Sequence, residues 1–232
     1  GPGSGKTRAL IFRAAHLIKI GFQPEELLLL TFTNKAAGEM KDRLEQILGY
    51  LPYQLWAGTF HSIGARILRK HAALAGRTPN FSILDEEDSR VLLKQILSDQ
   101  DVSDEDRKLI MQRGLMGRII SQARNSGLTV KEVMEEDYPY RLEYLGVITE
   151  TAEKYEKKKK EINAFDFDDL LLCWLDLFEQ YPQVKDQYRR RFKHVLVDEF
   201  QDTNVIQSRI IDLFYGAASI SVVGDDAQSI YA

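Results

Sequence analysis

From Lys6 to Ile20 apolar residues recur at Leu10, Ala14, Leu17 and Ile18, a stripe of helical period that Gly21 closes. The next segment, LLLLTF at 27–32, shows no period. A continuous apolar run is what a parallel strand covered on both faces requires. Asn34 then offers a helix cap ahead of a second stripe at Ala37, Met40, Leu44 and Ile47. LWAGTF (55–60) reads as a second strand, and HSIGARILRKHAALA returns to helix. This alternation predicts an α/β domain built on a parallel, doubly wound sheet.

Residues 85–188 change character. Helical patterns such as DEEDSRVLLKQILSD dominate, charges are frequent, and β-branched runs nearly vanish. KKKK (157–160) is expected on a solvated helix face. HVLVDEF (194–200) and ISVVGDD (220–226) then restore buried strands, each ending in carboxylates. The expected organisation is an α/β domain in two parts, 1–84 and 189–232, interrupted by an all-helical inserted domain at 85–188.

Composition narrows the class without deciding it. With 232 residues, 44% hydrophobic and 28% charged, the chain has the make-up of a soluble globular protein. No run approaches the roughly 20 apolar residues that span a bilayer, and no signal peptide is visible, so no membrane association is expected. The single Cys173 excludes a disulfide framework within the chain and suits a reducing compartment, the cytoplasm by default. The net charge of −4 hides an uneven distribution. Residues 1–80 carry 11 Lys and Arg against 5 Asp and Glu, whereas 81–189 carry 16 against 24. A basic face for phosphate contacts therefore belongs in the first third, and an ordinary solvated surface explains the same excess equally well.

The chemistry concentrates where predicted strands meet helices. GPGSGKT (1–7) supplies all but the first position of the P-loop pattern G-x-x-x-x-G-K-[ST]. Its glycines let backbone N–H groups wrap phosphates, Lys6 places charge on the β- and γ-phosphates, and the Thr7 hydroxyl can ligate Mg²⁺. Such a loop normally follows a buried strand, so the chain is expected to be a piece of a longer protein. VLVDEFQD (195–202) ends a strand in Asp198, suited to Mg²⁺ beside Thr7, and Glu199, suited to orient or deprotonate a water. In VVGDDAQSIY (222–231), Gln228 could sense a γ-phosphate and Tyr231 could stack on a base. A plain polar loop explains that stretch as well.

TFTNKAA (31–37) and GTFHS (58–62) each place a Phe among hydroxyl and amide residues at a strand-to-helix junction. In a doubly wound sheet these junctions share the carboxyl edge with the P-loop, which would make a platform for single-stranded nucleic acid. Taken singly, Phe32 and Phe60 read more readily as core residues, and no Cys or second His stands at metal spacing from His61. The three carboxylates of DFDDLL (166–171) fit either a metal site or a capped helix start, and Phe167 with Leu170 favours the cap.

In this order, GPGSGKT, TFTNKAAGEMKDRL, GTFHS, DFDDLL, VLVDEFQDTN and GDDAQSIY resemble the UvrD/PcrA/Rep-like DNA helicases of superfamily one. The likeness runs along essentially the whole chain, although 85–160 matches only in its helical character. It implies a RecA-like P-loop NTPase domain that uses ATP and Mg²⁺ to move on single-stranded DNA with 3′-to-5′ polarity, acting at single/double-strand junctions in repair or replication. By motif, Gly1, Pro2, Gly3, Ser4, Gly5, Lys6, Thr7 and Arg8 would hold the nucleotide. Thr7 and Asp198 would serve the metal, with Glu199 as the catalytic base and Gln228 as the γ-phosphate sensor. Phe32, Asn34, Thr59, Phe60, His61 and Tyr231 would lie along the DNA. Ala227 departs from the Asp that many relatives carry there. The second motor domain, with its arginine fingers, is expected elsewhere in the full protein, so this chain alone should hydrolyse ATP poorly. Two alternatives share these motifs: the motor of a helicase–nuclease subunit, and a nucleotide-dependent DNA-binding module that does not unwind. Protein partners are not readable from the motifs.

Overall fold

The computed structural model describes residues 5–224. The chain divides into two compact units, one drawn from Gly1–Ile67 with Cys173–Ala232 and the other comprising Leu68–Leu172. The second unit both begins and ends earlier in the chain than the 85–188 expected from its pattern. In chain order the elements are α1 (Gly5–Lys19), β1 (Leu27–Thr31), α2 (Asn34–Leu48), β2 (Trp56–Thr59) and α3 (Phe60–Lys70). There follow β3 (Ser82–Ile83), α4 (Glu86–Ser98), α5 (Asp104–Met111), α6 (Leu115–Ser126), α7 (Val130–Asp137), α8 (Leu145–Glu161) and β4 (Ala164–Phe165). The chain continues with α9 (Phe167–Gln180), α10 (Pro182–Arg191), β5 (His194–Val197), α11 (Val205–Asp212) and β6 (Ser219–Val222).

The first unit is organised by one parallel sheet of order β2-β1-β5-β6. Every residue of β1 is buried, as the unbroken LLLL run demands. Leu29 pairs with Ala57 on one side and Leu196 on the other. Because successive side chains alternate between faces, these three share one face with Leu27, and α1 and α2 cover it through Leu10, Ile11, Ala14, Met40 and Leu44. Trp56, on the opposite face, meets Phe192 with ring centroids 5.3 Å apart and Tyr188 at 5.8 Å. Phe178 stacks on Tyr188 at 5.3 Å and extends this aromatic layer.

One local detail differs from the pattern reading. The cap of α2 is Thr33, not Asn34: Thr33 is extended and its Oγ1 accepts a hydrogen bond from the Ala36 amide at 3.1 Å. Asn34 becomes the first helical residue, because the hydroxyl one position earlier already satisfies an end-of-helix N–H. At the other end Gly49 takes φ 81°, a left-handed conformation that closes the helix without a Cβ clash.

The second unit is mostly helical but not all-helical. Ser82 and Ile83 pair in parallel with Ala164 and Phe165. Two-residue strands carry no readable alternation, which is why sequence pattern overlooked them. The pair is fixed by side chains: Phe81 packs edge-on against Phe165 at 4.7 Å, and Arg77 Nε donates to the Ala164 carbonyl at 3.0 Å. Asp85, Ser103 and Thr129 cap α4, α5 and α7. Leu93, Ile110, Met116, Ile119, Val133, Met134 and Ile148 form the unit's core.

The Lys-rich run also departs from expectation. Lys159 is 0% exposed, because Ile148, Thr151, Tyr155 and Lys159 form the buried face of α8. Its ammonium lies 2.6 Å from Asp166, 2.8 Å from Asp169 and 2.9 Å from Glu156. Arg124 joins the same carboxylates from α6. Asp166 and Asp169 also bond each other's backbone amides, at 3.0 and 2.8 Å, so DFDDLL is a capped helix start. The oxygen atoms of Glu156, Asp166 and Asp169 cluster closely enough for a metal ion. Lys159 already sits among them as their cation. Burial alone would raise the Asp166 pKa, but Lys159 and Arg124 outweigh it and hold the carboxyl below its ordinary value.

That depressed pKa means the network's stabilisation is present at neutral pH and fades as acid protonates the carboxylates. Lys159→Met should therefore destabilise the protein by about 3–5 kcal/mol at neutral pH. Its deficit should shrink in acid, where protonation relieves the stranded negative charge. Chemical denaturation at both pH values measures this; a deficit independent of pH would mean that the lysine contributes only packing.

Candidate active site

Parallel strands end on a common side, so the sheet collects the carboxyl ends of β1, β2, β5 and β6 along one edge. The first turn of α1 meets this edge. Thr7 Oγ1 donates to Asp198 Oδ1 at 3.2 Å, joining residues 191 positions apart in the chain. Asp198 is only 3% exposed, and its backbone amide donates to the Leu30 carbonyl at 3.0 Å, which extends the β1–β5 ladder past Val197. Lys6 Nζ donates to the Gly224 carbonyl at 2.6 Å, two residues past the end of β6. The residues expected to serve phosphate and metal are thus brought together among the described residues.

Glu199 follows with φ 52°, a left-handed conformation unusual for a side chain of its size. It costs on the order of 1–3 kcal/mol and occurs most often at functional sites. The chain is forced into it because the ladder resumes at once: Phe200 N donates to the Val223 carbonyl at 2.9 Å. Gly224 permits this close passage, since a Cβ there would lie 2.6 Å from Gln201 Oε1 and 3.2 Å from the Gln201 amide. Burial, then Asp198, then Asp202 raise the Glu199 carboxyl above its ordinary pKa. A carboxylate of raised basicity beside an Asp–Thr pair suits proton abstraction from water.

The donor set fits a hard divalent cation with a triphosphate. Asp198 and Thr7 offer oxygen ligands, which Mg²⁺ prefers, and Lys6 carries positive charge at the same edge. Gly5 and Lys6 begin α1 itself, and a helix N-terminus favours anions. Gly1, Pro2, Gly3, Ser4, Gln228 and Tyr231 lie outside the described residues. Arg8 is exposed, with its guanidinium 5.3 Å from the Phe12 ring centroid.

The residues assigned to DNA are not equivalent. Phe32 is half-buried and Asn34 exposed at the β1–α2 junction. Thr59 is buried, and its Oγ1 accepts from the Ser62 amide at 3.1 Å, which caps α3. His61 is half-buried. Phe60 is 1% exposed, and its ring lies 5.6 Å from that of Phe32. In this conformation Phe60 is core and offers no open face to a base; Phe32 is the ring of the pair with accessible surface. One residue at this edge, inside the TFTNKAA motif, was given no role of its own by the motif reading. Thr31 is buried, and its hydroxyl has no hydrogen-bond partner among the described residues. The signal was a polar residue closing the apolar run of β1.

Residues 1–232 match the family described as UvrD/REP helicase N-terminal domain. The chain is similar to the ATP-dependent DNA helicase PcrA of Bacillus subtilis (strain 168), 40% identical over 233 residues that cover 100% of this chain and 31% of that protein. It is likewise similar to the PcrA proteins of Staphylococcus aureus (strain Mu50) and Staphylococcus epidermidis, each 36% identical with the same coverage. The chain therefore spans 31% of the length of these curated relatives.

The contrast between the two phenylalanines is measurable in the protein alone. Phe60→Ala should cost about 3–5 kcal/mol of stability, as full truncation of a buried ring does. Phe32→Ala should cost less than half of that. Chemical denaturation of both variants tests the difference, and equal losses would place Phe32 in the core as well.

Proposed function

This chain belongs to the UvrD/REP helicase family as its N-terminal domain, and from that premise we propose that it is the first RecA-like motor domain of an ATP-dependent DNA helicase. In the full protein it would hydrolyse ATP to move along single-stranded DNA in the 3′-to-5′ direction, in the cytoplasm, working at single/double-strand junctions in repair or replication. The observation that carries this reading is the meeting of Thr7, Asp198, Lys6 and Glu199 at one sheet edge.

Gly1 to Arg8 would hold the nucleotide, with Thr7 and Asp198 as the metal ligands. Bound Mg²⁺ neutralises phosphate charge and orients the γ-phosphoryl group. The rest of the work falls to the chain. Lys6 exchanges the Gly224 carbonyl for phosphate oxygens, placing its charge where negative charge accumulates. Glu199 accepts a proton from the attacking water at its carboxylate, and its raised pKa makes it a stronger base than an ordinary glutamate. Gln228 senses the γ-phosphate by hydrogen bonding. Phe32, Asn34, Thr59 and His61, on the adjoining junctions, would follow the DNA strand together with Tyr231, with Phe60 supporting Phe32.

Glu199→Gln should leave Mg-ATP binding intact and lower turnover by about 10²- to 10⁴-fold, because an amide keeps the shape but accepts no proton. Steady-state ATPase measurement with a parallel nucleotide-binding titration on the full-length protein decides this. Turnover near the wild-type rate would place the base elsewhere.

Phe32→Ala should weaken single-stranded DNA binding by roughly 1–3 kcal/mol, the usual value of one base stacked on an aromatic ring. Fluorescence anisotropy with a labelled oligonucleotide, on a variant shown to be folded, provides the check. Unchanged affinity would remove Phe32 from the DNA path.

A further inference from the structure

Thr31 ends β1 at 0% exposure, yet its hydroxyl has no hydrogen-bond partner among the described residues. Proteins seldom leave a buried hydroxyl unpaired unless a function or a bound water accounts for it. Its position in the sheet supplies the account. Leu27 and Leu29 face α1 and α2, so strand alternation puts Thr31 on that same face. Thr31 pairs with Thr59 on one side. On the other, Leu30 pairs with Val197 and its carbonyl accepts the Asp198 amide, so the next position along sets Asp198 beside Thr31.

Thr59, Thr31 and Asp198 therefore form one polar row at the carboxyl edge, on the face that α1 covers. Two members have assigned partners. Thr59 Oγ1 accepts from the Ser62 amide, and Asp198 accepts from Thr7. Among the described residues, Thr31 alone in the row has none.

We propose that Thr31 is a positioning residue for the divalent cation: its hydroxyl hydrogen-bonds a water molecule carried by the metal that Thr7 and Asp198 hold. This rests on the nucleotide-hydrolysing role proposed above. Mg²⁺ sheds water reluctantly and keeps several molecules when protein-bound, so groups beside its ligands orient those waters. Neighbouring strands lie about 4.8 Å apart, which puts Thr31 and Asp198 within reach of one shared water. On this reading the hydroxyl is unpaired among the described residues because its partner arrives with the metal.

The test uses Thr31→Val, Thr31→Ser and Asp198→Asn in the full-length protein. Calorimetric binding of a non-hydrolysable ATP analogue is measured across a Mg²⁺ titration, together with thermal melting without nucleotide. Thr31→Val should raise the Mg²⁺ concentration for half-maximal binding by about 10- to 100-fold, the usual cost of losing a group that orients a metal's ligands. Thr31→Ser should stay near wild type. Valine fills the same space and removes only an unpaired polar group, so Thr31→Val should melt no lower than wild type. A wild-type Mg²⁺ requirement in Thr31→Val, with Asp198→Asn impaired, overturns the proposal and leaves the metal site standing. A lowered melting point with equal Mg²⁺ defects in the Val and Ser variants assigns Thr31 to packing and overturns it too. An unaffected Asp198→Asn would overturn the metal assignment, and the role of Thr31 with it.

Discussion

The first unit depends on one constraint, the burial of β1 on both faces. Leu27 to Leu30 remove apolar surface from water only if helices cover the sheet above and below, and α1 with α2 supplies one of those layers. A strand buried on both faces must also satisfy its backbone groups on both sides, so it takes β2 and β5 as parallel neighbours. Parallel neighbours end on the same side. The convergence of Thr7, Asp198, Lys6 and Glu199 is thus a consequence of how the leucine run is buried, and the chemistry occupies an edge that the core had already defined.

The same logic explains which residues were legible in advance. β1, β2, β5, α1 and α2 were readable because each repeats a burial pattern over several residues, whereas β6, expected as a buried strand, leaves Ser219 and Val222 exposed. Lys6, Thr7 and Asp198 could be singled out because their motifs stand at a helix start and at a strand end. Lys159 was not, since four consecutive lysines conceal that one of them continues the Ile148–Thr151–Tyr155 face. Its partners Asp166 and Asp169 were visible as a helix cap, but the cation that neutralises them comes from a different element. The two-residue pairing of β3 with β4 is too short for any pattern and is held by Phe81 and Arg77. Tertiary pairing of charges, and pairing of very short strands, leave little periodic trace in a sequence.

Phe60 illustrates a different limit. GTFHS and TFTNKAA look alike as motifs, each a Phe between small polar residues, yet the two rings have different surroundings. Phe32 precedes the cap of α2 and remains partly accessible, whereas Phe60 begins α3 immediately after β2 and turns inward. The difference is one of phase. Two further residues separate Thr31 from the start of α2, and none separates Thr59 from α3. A loop of two residues lets a ring project from the edge, and its absence drives the ring into the core.

At the carboxyl edge of the sheet the backbone holds strain that the sheet itself imposes. Asp198 must continue the β1–β5 ladder, and Phe200 must bond Val223 beside β6. Glu199 lies between these two obligations, and its left-handed conformation is the way one residue can meet both. The carboxylate is thereby set beside two other acids and partly desolvated, which raises its pKa. A glutamate in relaxed extended geometry would follow the strand's alternation to the opposite face from Asp198. The left-handed turn is what frees Glu199 from that alternation, so the strained bond pair and the basic carboxylate are one feature of the fold seen from its backbone and from its side chain.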